Sequence, residues 1–230
     1  MFSDQVVAVK ALSTILSIFQ MGTLDMVYQS YQHSSLLKEM STYWLLVEES
    51  NEKSKRLSWA PFISRLANIL TNKIYFLNKY NVFGLNYALM EGAEFDVEDQ
   101  VNIPARLSTL LATLNVSIQW ALVNSCSVLN GTIHPLITEA YSIYLSLTVI
   151  LADLIEKAEE PETLESTLAR YEEERLVLRS IIVQVSNLTE MNLFEDVVLQ
   201  VCVHRRFPPF LSIVHWKGIQ GKHGLLLGSN

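Results

Sequence analysis

The sequence predicts an all-α fold: a right-handed helical superhelix or bundle of about seven or eight helices. Three observations carry this reading. Apolar residues recur at i, i+3 and i+4 through most of the 230 residues. Eight Gly and six Pro are few for a loop-rich β protein. Half the residues are apolar and 18% are charged, enough to bury one sizeable core. No repeat of fixed period appears, so helices of unequal length joined by short turns are expected.

The elements follow in order. In residues 6–21, Val6, Val9, Leu12, Leu16 and Phe19 form a wide stripe with Ala8, Ile15 and Ile18 beside it. That predicts a well-buried helix, and Gly22 supplies its stop. A second helix is expected over 24–33 and a third over 34–49, with Leu36, Leu37, Met40, Trp44 and Val47 on one side. Residues 48–56 mix three acids with three bases and read as a solvated turn. Ser58-Trp59-Ala60-Pro61 opens the next helix, since Pro is tolerated in a first turn. This helix runs to about Tyr80 on a stripe of Phe62, Leu66, Ile69, Leu70, Lys73, Phe76 and Leu77.

Residues 83–91 are aromatic and irregular. Residues 91–99 hold five acids, which favour the start of a following helix through its dipole. One long helix is expected from Pro104 to Leu129, ended by the turn signal Asn130-Gly131. Another covers 133–157. After the acidic break at 159–162, a last long helix covers 163–186. Residues 197–203 suit strand or helix equally, and Pro208-Pro209 stops regular structure. The expected division is a helical domain over 1–211 and an irregular tail over 212–230.

Composition excludes several classes. A net charge of -7 does not favour nucleic acid or an anionic membrane through the field of the whole molecule. Two Cys make no disulfide scaffold; Cys126 and Cys202 read as small core residues. Residues 107–138 lack any charged group, but Asn115, Ser117, Gln119, Asn124, Ser125, Ser127 and Asn130 interrupt them. They read as buried helix, as does the apolar but short run 140–152. The N-terminus has Asp4 and no basic segment before its apolar stretch, so no secretory signal is expected. The sequons at Asn115, Asn130 and Asn187 then read as chance.

No catalytic constellation is recognisable. There is no H-x-x-x-H or C-x-x-C spacing for zinc, no G-x-G-x-x-G, no P-loop and no G-x-S-x-G. Glu172-Glu173-Glu174 reads as a solvated helix face, with Arg170, Arg175 and Arg179 placed for i,i+4 pairing. Neither enzyme activity nor a cofactor or metal is expected. Lys73 and Lys79 flank an aromatic helix and are expected on the solvated surface. Trp44, Trp59 and Trp120 are expected in the core. Trp216, in a Gly-rich tail, is a candidate anchor for a partner or bilayer.

Four stretches together resemble a known family. Val9-Lys10, Gly22-Thr23, Val27 and Trp44 match the spacing of a Trp-Lys, Gly-His, Val, Trp pattern, with Val9 for Trp and Thr23 for His. Residues 66–80, LANILTNKIYFLNKY, followed by Phe83-Gly84-Leu85-Asn86, match a second motif. Pro135-Leu136-Ile137 with Tyr141 and Tyr144 matches a third, and Arg205-Arg206-Phe207-Pro208-Pro209-Phe210-Leu211 a fourth. Their order resembles the ANTH domain of the huntingtin-interacting-protein and Sla-type endocytic adaptors, over residues 5–211. The resemblance implies an ANTH/ENTH-like superhelix. It also implies an adaptor of clathrin-mediated endocytosis, cytoplasmic, peripheral to the plasma membrane or endocytic vesicles, with phosphoinositide, clathrin-coat and actin-linked partners.

Such domains bind phosphatidylinositol bisphosphate through a K-x-K-H-like motif in their first two helices. The match here starts within the third helix, so the motif has no counterpart; before residue 50 the bases are Lys10 and Lys38. The first helix is therefore expected to be poorly covered, favouring self-association. Lipid-binding candidates are Lys10 and, from the acid-free, basic C-terminal segment, Arg205, Arg206, Lys217 and Lys222. The alternative function is a helical protein–protein interaction scaffold, or a short regulatory form, without lipid binding.

Overall fold

The fold was obtained as a computed structural model describing residues 4–51, 58–82, 84–85, 87, 97–157 and 165–188. These all lie within one compact unit, Met1–Met191; Asn192–Asn230 group separately and lie outside the described residues. Outside them too fall the 48–56 turn in part, most of the acidic 91–99 segment, Cys202, residues 197–203, Trp216 and the 212–230 tail.

Seven helices make up the described residues: α1 Gln5–Met21, α2 Leu24–Tyr31, α3 Ser34–Asn51, α4 Ala60–Tyr80, α5 Val97–Val123, α6 Ser127–Lys157 and α7 Glu165–Leu188. There is no strand among them, so the all-α class holds. Asp4 caps α1 by accepting from the Val6 and Val7 amides at 2.9 and 3.2 Å. Gly22 closes α1 as expected, though in an extended rather than left-handed conformation. A Cβ at Gly22 would sit 3.1 Å from Met26 Sδ and 3.3 Å from Ile18 O, so any larger residue there crowds the α1–α2 turn.

The centre of the stack is α4, which packs against α1, α2, α3 and α5. Its predicted stripe is entirely buried, and Pro61 sits in its first turn. It ends at Asn81, whose left-handed conformation (φ 52°) lets Val82 N–H reach Leu77 O at 3.1 Å. Helix α6 packs against α1, α5 and α7 and buries Leu136, Ala140, Ile143, Leu147 and Leu151. Its apolar stretch Ser127–Ala152 is long enough to cross a membrane by composition, yet most of it is buried inside this fold.

Several boundaries differ from the expectation. α5 begins seven residues before Pro104, which sits inside the helix, and ends at Val123 rather than Leu129. The α5–α6 break falls at 124–126, because polar side groups stop the helix there. Asn124 Nδ2 caps Trp120 O at 2.8 Å, and Ser125 Oγ donates to Asn130 Oδ1 at 2.9 Å. Asn130 N–H already bonds Cys126 O at 2.8 Å, so Asn130-Gly131 belongs to the first turn of α6 instead of a loop. Cys126 is accordingly half-buried at this turn, not a core residue. On α3, Met40 and Trp44 are buried as expected, but Leu36 is 52% exposed. On α1, Val6 and Ile18 are likewise exposed. Trp59 and Trp120 are half-buried, the latter stacked on Phe62 at 5.1 Å.

Candidate functional site

The sequence-predicted lipid residues are not brought together among the described residues. Lys10 is exposed on α1, while Arg205, Arg206, Lys217 and Lys222 lie outside them. The surroundings of Lys10 are informative. At 100° per residue, Val7, Ala11, Thr14, Ile18 and Met21 form a single stripe with Lys10 at its edge. All are exposed, with Val7 at 59% and Met21 at 82%. The opposite face carries the buried Ala8, Val9, Leu12, Leu16 and Phe19. The helix therefore has two apolar faces, one in the core and one in solvent.

The strongest polar feature lies on the other side of α4, and it corrects the expectation for Lys73. That residue is fully buried. Its ammonium donates to Glu139 Oε1 at 2.6 Å, to Gly84 O at 2.8 Å and to Tyr87 Oη at 3.1 Å, using all three protons. Glu139, also fully buried, accepts from the Tyr87 hydroxyl on Oε1 and from Gln20 Nε2 at 3.0 Å on Oε2. Gln20 gives its second amide proton to Pro135 O at 2.7 Å. Ser142 Oγ donates to Leu85 O, tying the turn after α4 to α6. Every charged atom in this knot has a partner, as a buried pair requires.

Burial lowers the Lys73 pKa from its ordinary value, opposed by the adjacent Glu139 carboxylate. Burial, with the same carboxylate, pushes the Tyr87 phenol well up. The knot is closed to solvent and joins α1, α4 and α6 with Gly84 and Tyr87; it is structural. Gly84 is required there, with φ at +66° and a would-be Cβ only 3.1 Å from Gln20 O. The sequence carried a usable signal: Lys73 occupies a stripe position between Ile69, Leu70, Phe76 and Leu77. An ionisable group on a buried stripe demands an opposite charge, and Glu139 is the acid set within the apolar run of α6.

Elsewhere, Arg175 pairs with Glu172 at 2.7 Å as an i,i+3 surface contact. Hydrogen bonding to that carboxylate raises its pKa. Asn115 is buried and donates to Glu174 O and Oε2 at 3.1 and 2.8 Å, so its sequon is closed in this fold. No cluster of His, Cys, Asp and Glu suited to a metal occurs among the described residues.

The described residues thus form a helical stack pinned by a buried ion pair, with an exposed apolar stripe on α1. The model of the ANTH domain matches residues 2–180, and the protein belongs to the ANTH domain family. A similar solved structure is the ENTH domain from epsin-2 in complex with phosphatidylinositol 4,5-bisphosphate. It is 20% identical, with a TM-score of 0.66 over 81% of this chain and 74% of that one; the likeness is one of fold. No curated protein matches the sequence.

Proposed function

We propose that this protein is an adaptor-like component of clathrin-mediated endocytosis. It would dock from the cytoplasmic side onto phosphoinositide-bearing membrane and engage clathrin-coat or actin-linked proteins, without catalysis. The carrying observation is the family match over residues 2–180. The phosphatidylinositol 4,5-bisphosphate bound by the epsin-2 ENTH domain supports it as an analogy of fold. On this reading α1 meets the bilayer interface, Val7, Ala11, Ile18 and Met21 entering it while Lys10 snorkels to a phosphate. One lysine near an anionic surface contributes only about 1 kcal/mol. Arg205, Arg206, Lys217 and Lys222 are therefore proposed to add to it.

The test is liposome co-sedimentation with and without phosphatidylinositol bisphosphate, at low and high salt. Lipid-specific, salt-sensitive binding weakened by Lys10→Ala is the expected result. Binding no greater than to plain phosphatidylcholine vesicles would overturn it. The scaffold reading then takes its place. The observation favouring that second reading is the α1 stripe itself, which carries several apolar residues but a single cation. A face of that kind suits a protein surface, including a second copy of the same protein.

A further inference from the structure

The exposed strip of α4 is unusual for a solvated face. Asn68, Asn72, Tyr75 and Lys79 repeat at i, i+4, i+7 and i+11, and all are exposed. Where long charged groups are the norm, the first two turns of this strip present carboxamides and a phenol. Across from them α5 presents Asn102, Arg106, Thr109 and Thr113, and the two helices enclose a groove of about 320 Å³. Phe76, Leu107 and Leu110, all buried, form its floor. That volume lies within the usual range for ligand clefts.

The donors and acceptors in the groove have a pattern. Asn72 Nδ2 donates to Asn68 O at 2.9 Å and to Asn68 Oδ1 at 3.1 Å. This fixes both carboxamides and leaves Asn68 Nδ2 as a donor and Asn72 Oδ1 as an acceptor. The Arg106 guanidinium lies over the Tyr75 ring, 5.6 Å from its centroid, and is exposed. No carboxylate lines the groove among the described residues. Among the described residues that line it, the one ionised group is the Arg106 guanidinium, a cation in a protein of net charge -7.

We propose that the α4–α5 groove binds an extended peptide segment of a partner protein bearing an Asp or Glu residue. The paired carboxamides would take one backbone carbonyl and one backbone N–H of that peptide. Arg106, placed over the Tyr75 ring, would take the carboxylate through its planar fork. Length agrees: positions 68–76 rise about 12 Å along α4 and 102–113 about 16 Å along α5. That accommodates four or five extended residues at roughly 3.3 Å each. A small, fully deprotonated anion fits less well, because it has no proton to donate to Asn72 Oδ1. The groove is remote in sequence from Lys10, and the proposal does not depend on the lipid reading.

The test begins with the purified full-length protein on a positional-scanning array of nonapeptides, each position fixed in turn as Asp, Glu, Asn or Gln. Binding is expected to concentrate on peptides with a fixed acid. The best of these is then titrated by fluorescence anisotropy against wild type, R106Q and N72A, with K79Q as a charge-matched control. R106Q should weaken binding at least about tenfold with an unchanged melting temperature, as loss of a charge-assisted pair predicts. K79Q should not. Equal signals for acid and amide peptides, no saturable binding, or full affinity in R106Q would overturn the proposal. So would binding of inorganic phosphate or bisphosphate-containing liposomes at Asn68 and Asn72, read from their carboxamide NMR signals, in place of any peptide.

Discussion

Replacing Glu139 with Gln removes one charge from the knot while preserving its shape. At 2.6 Å and an effective dielectric of 20, attraction between Lys73 and Glu139 is about 6 kcal/mol, offset by several kcal/mol of desolvation per ion. What E139Q exposes is the second term: the Lys73 ammonium stays fully buried with no counter-charge. The Gln amide nitrogen would also face Gln20 Nε2, setting donor against donor. The expected cost is about 3–5 kcal/mol, a fall of about 10 °C in melting temperature. K73M should cost a similar amount, because it strands the carboxylate. The double variant K73M/E139L should cost far less than the two singles together, since neither charge remains. Urea unfolding at pH 7 measures all four proteins. The pH dependence adds a check. Without Glu139, Lys73 falls further below its unfolded value, so the unfolded state binds more protons between the two values. The stability of E139Q should therefore rise as pH climbs toward 10.5. Additive single-variant costs, or an E139Q cost under about 1 kcal/mol, would refute this account of the knot.

Three further outcomes are expected. Gly84→Ala should lose about 1–3 kcal/mol in urea unfolding, since its φ of +66° and its 3.1 Å approach to Gln20 O both oppose a Cβ. Tyr87 and Tyr171 both have raised pKa values, chiefly through burial, so the folded state holds protons that the unfolded state releases above pH 10.0. Stability should be intact below that pH and decline above it; Tyr171→Phe should shallow the decline, while ultraviolet titration of wild type should show at least two phenols ionising only on unfolding. Light scattering across a dilution series should show association through the open α1 stripe, abolished by V7E/I18E; a wild-type monomer at all concentrations would remove that face as a contact.

How much was legible in the sequence depended on the kind of signal. Periodicity placed every described helix, and the α4 stripe from Phe62 to Leu77 is buried residue for residue. The boundaries that moved did so where specific hydrogen bonds outvoted dipeptide signals. Asn130-Gly131 is a turn signal in isolation, yet Asn124 and Ser125 stop α5 earlier and leave Asn130 helical. Pro104 reads as a first-turn residue, although a helix can begin well before a proline. The placement of Lys73 failed for a different reason. Its stripe position was visible, but burying a charge becomes favourable only when a partner is at hand, and Glu139 is 66 residues away. Pairings at that separation leave no mark on local periodicity. The same holds for the groove: Arg106 and Tyr75 meet only because α5 packs beside α4.

The two polar features share α4, and their difference shows how one helix does two jobs. Its buried side uses a charge where an apolar residue would have packed as well or better. Apolar ridges alone tolerate small slides of one helix along another. A knot in which each Lys73 proton has its own acceptor, on Gly84, Tyr87 and α6, does not. Fixing α4 against α1 and α6 in this way also fixes the outward strip of the same helix. Asn68 and Asn72 are useful to a ligand only if their carboxamides stay in register with Arg106 on α5. Lys73 holds the α4 side of that register, adjoining Asn72 in sequence while lying on the buried side of the helix; α5 meets it through its own packing against both α4 and α6. The buried charge thus gains in placement what it does not supply in stability.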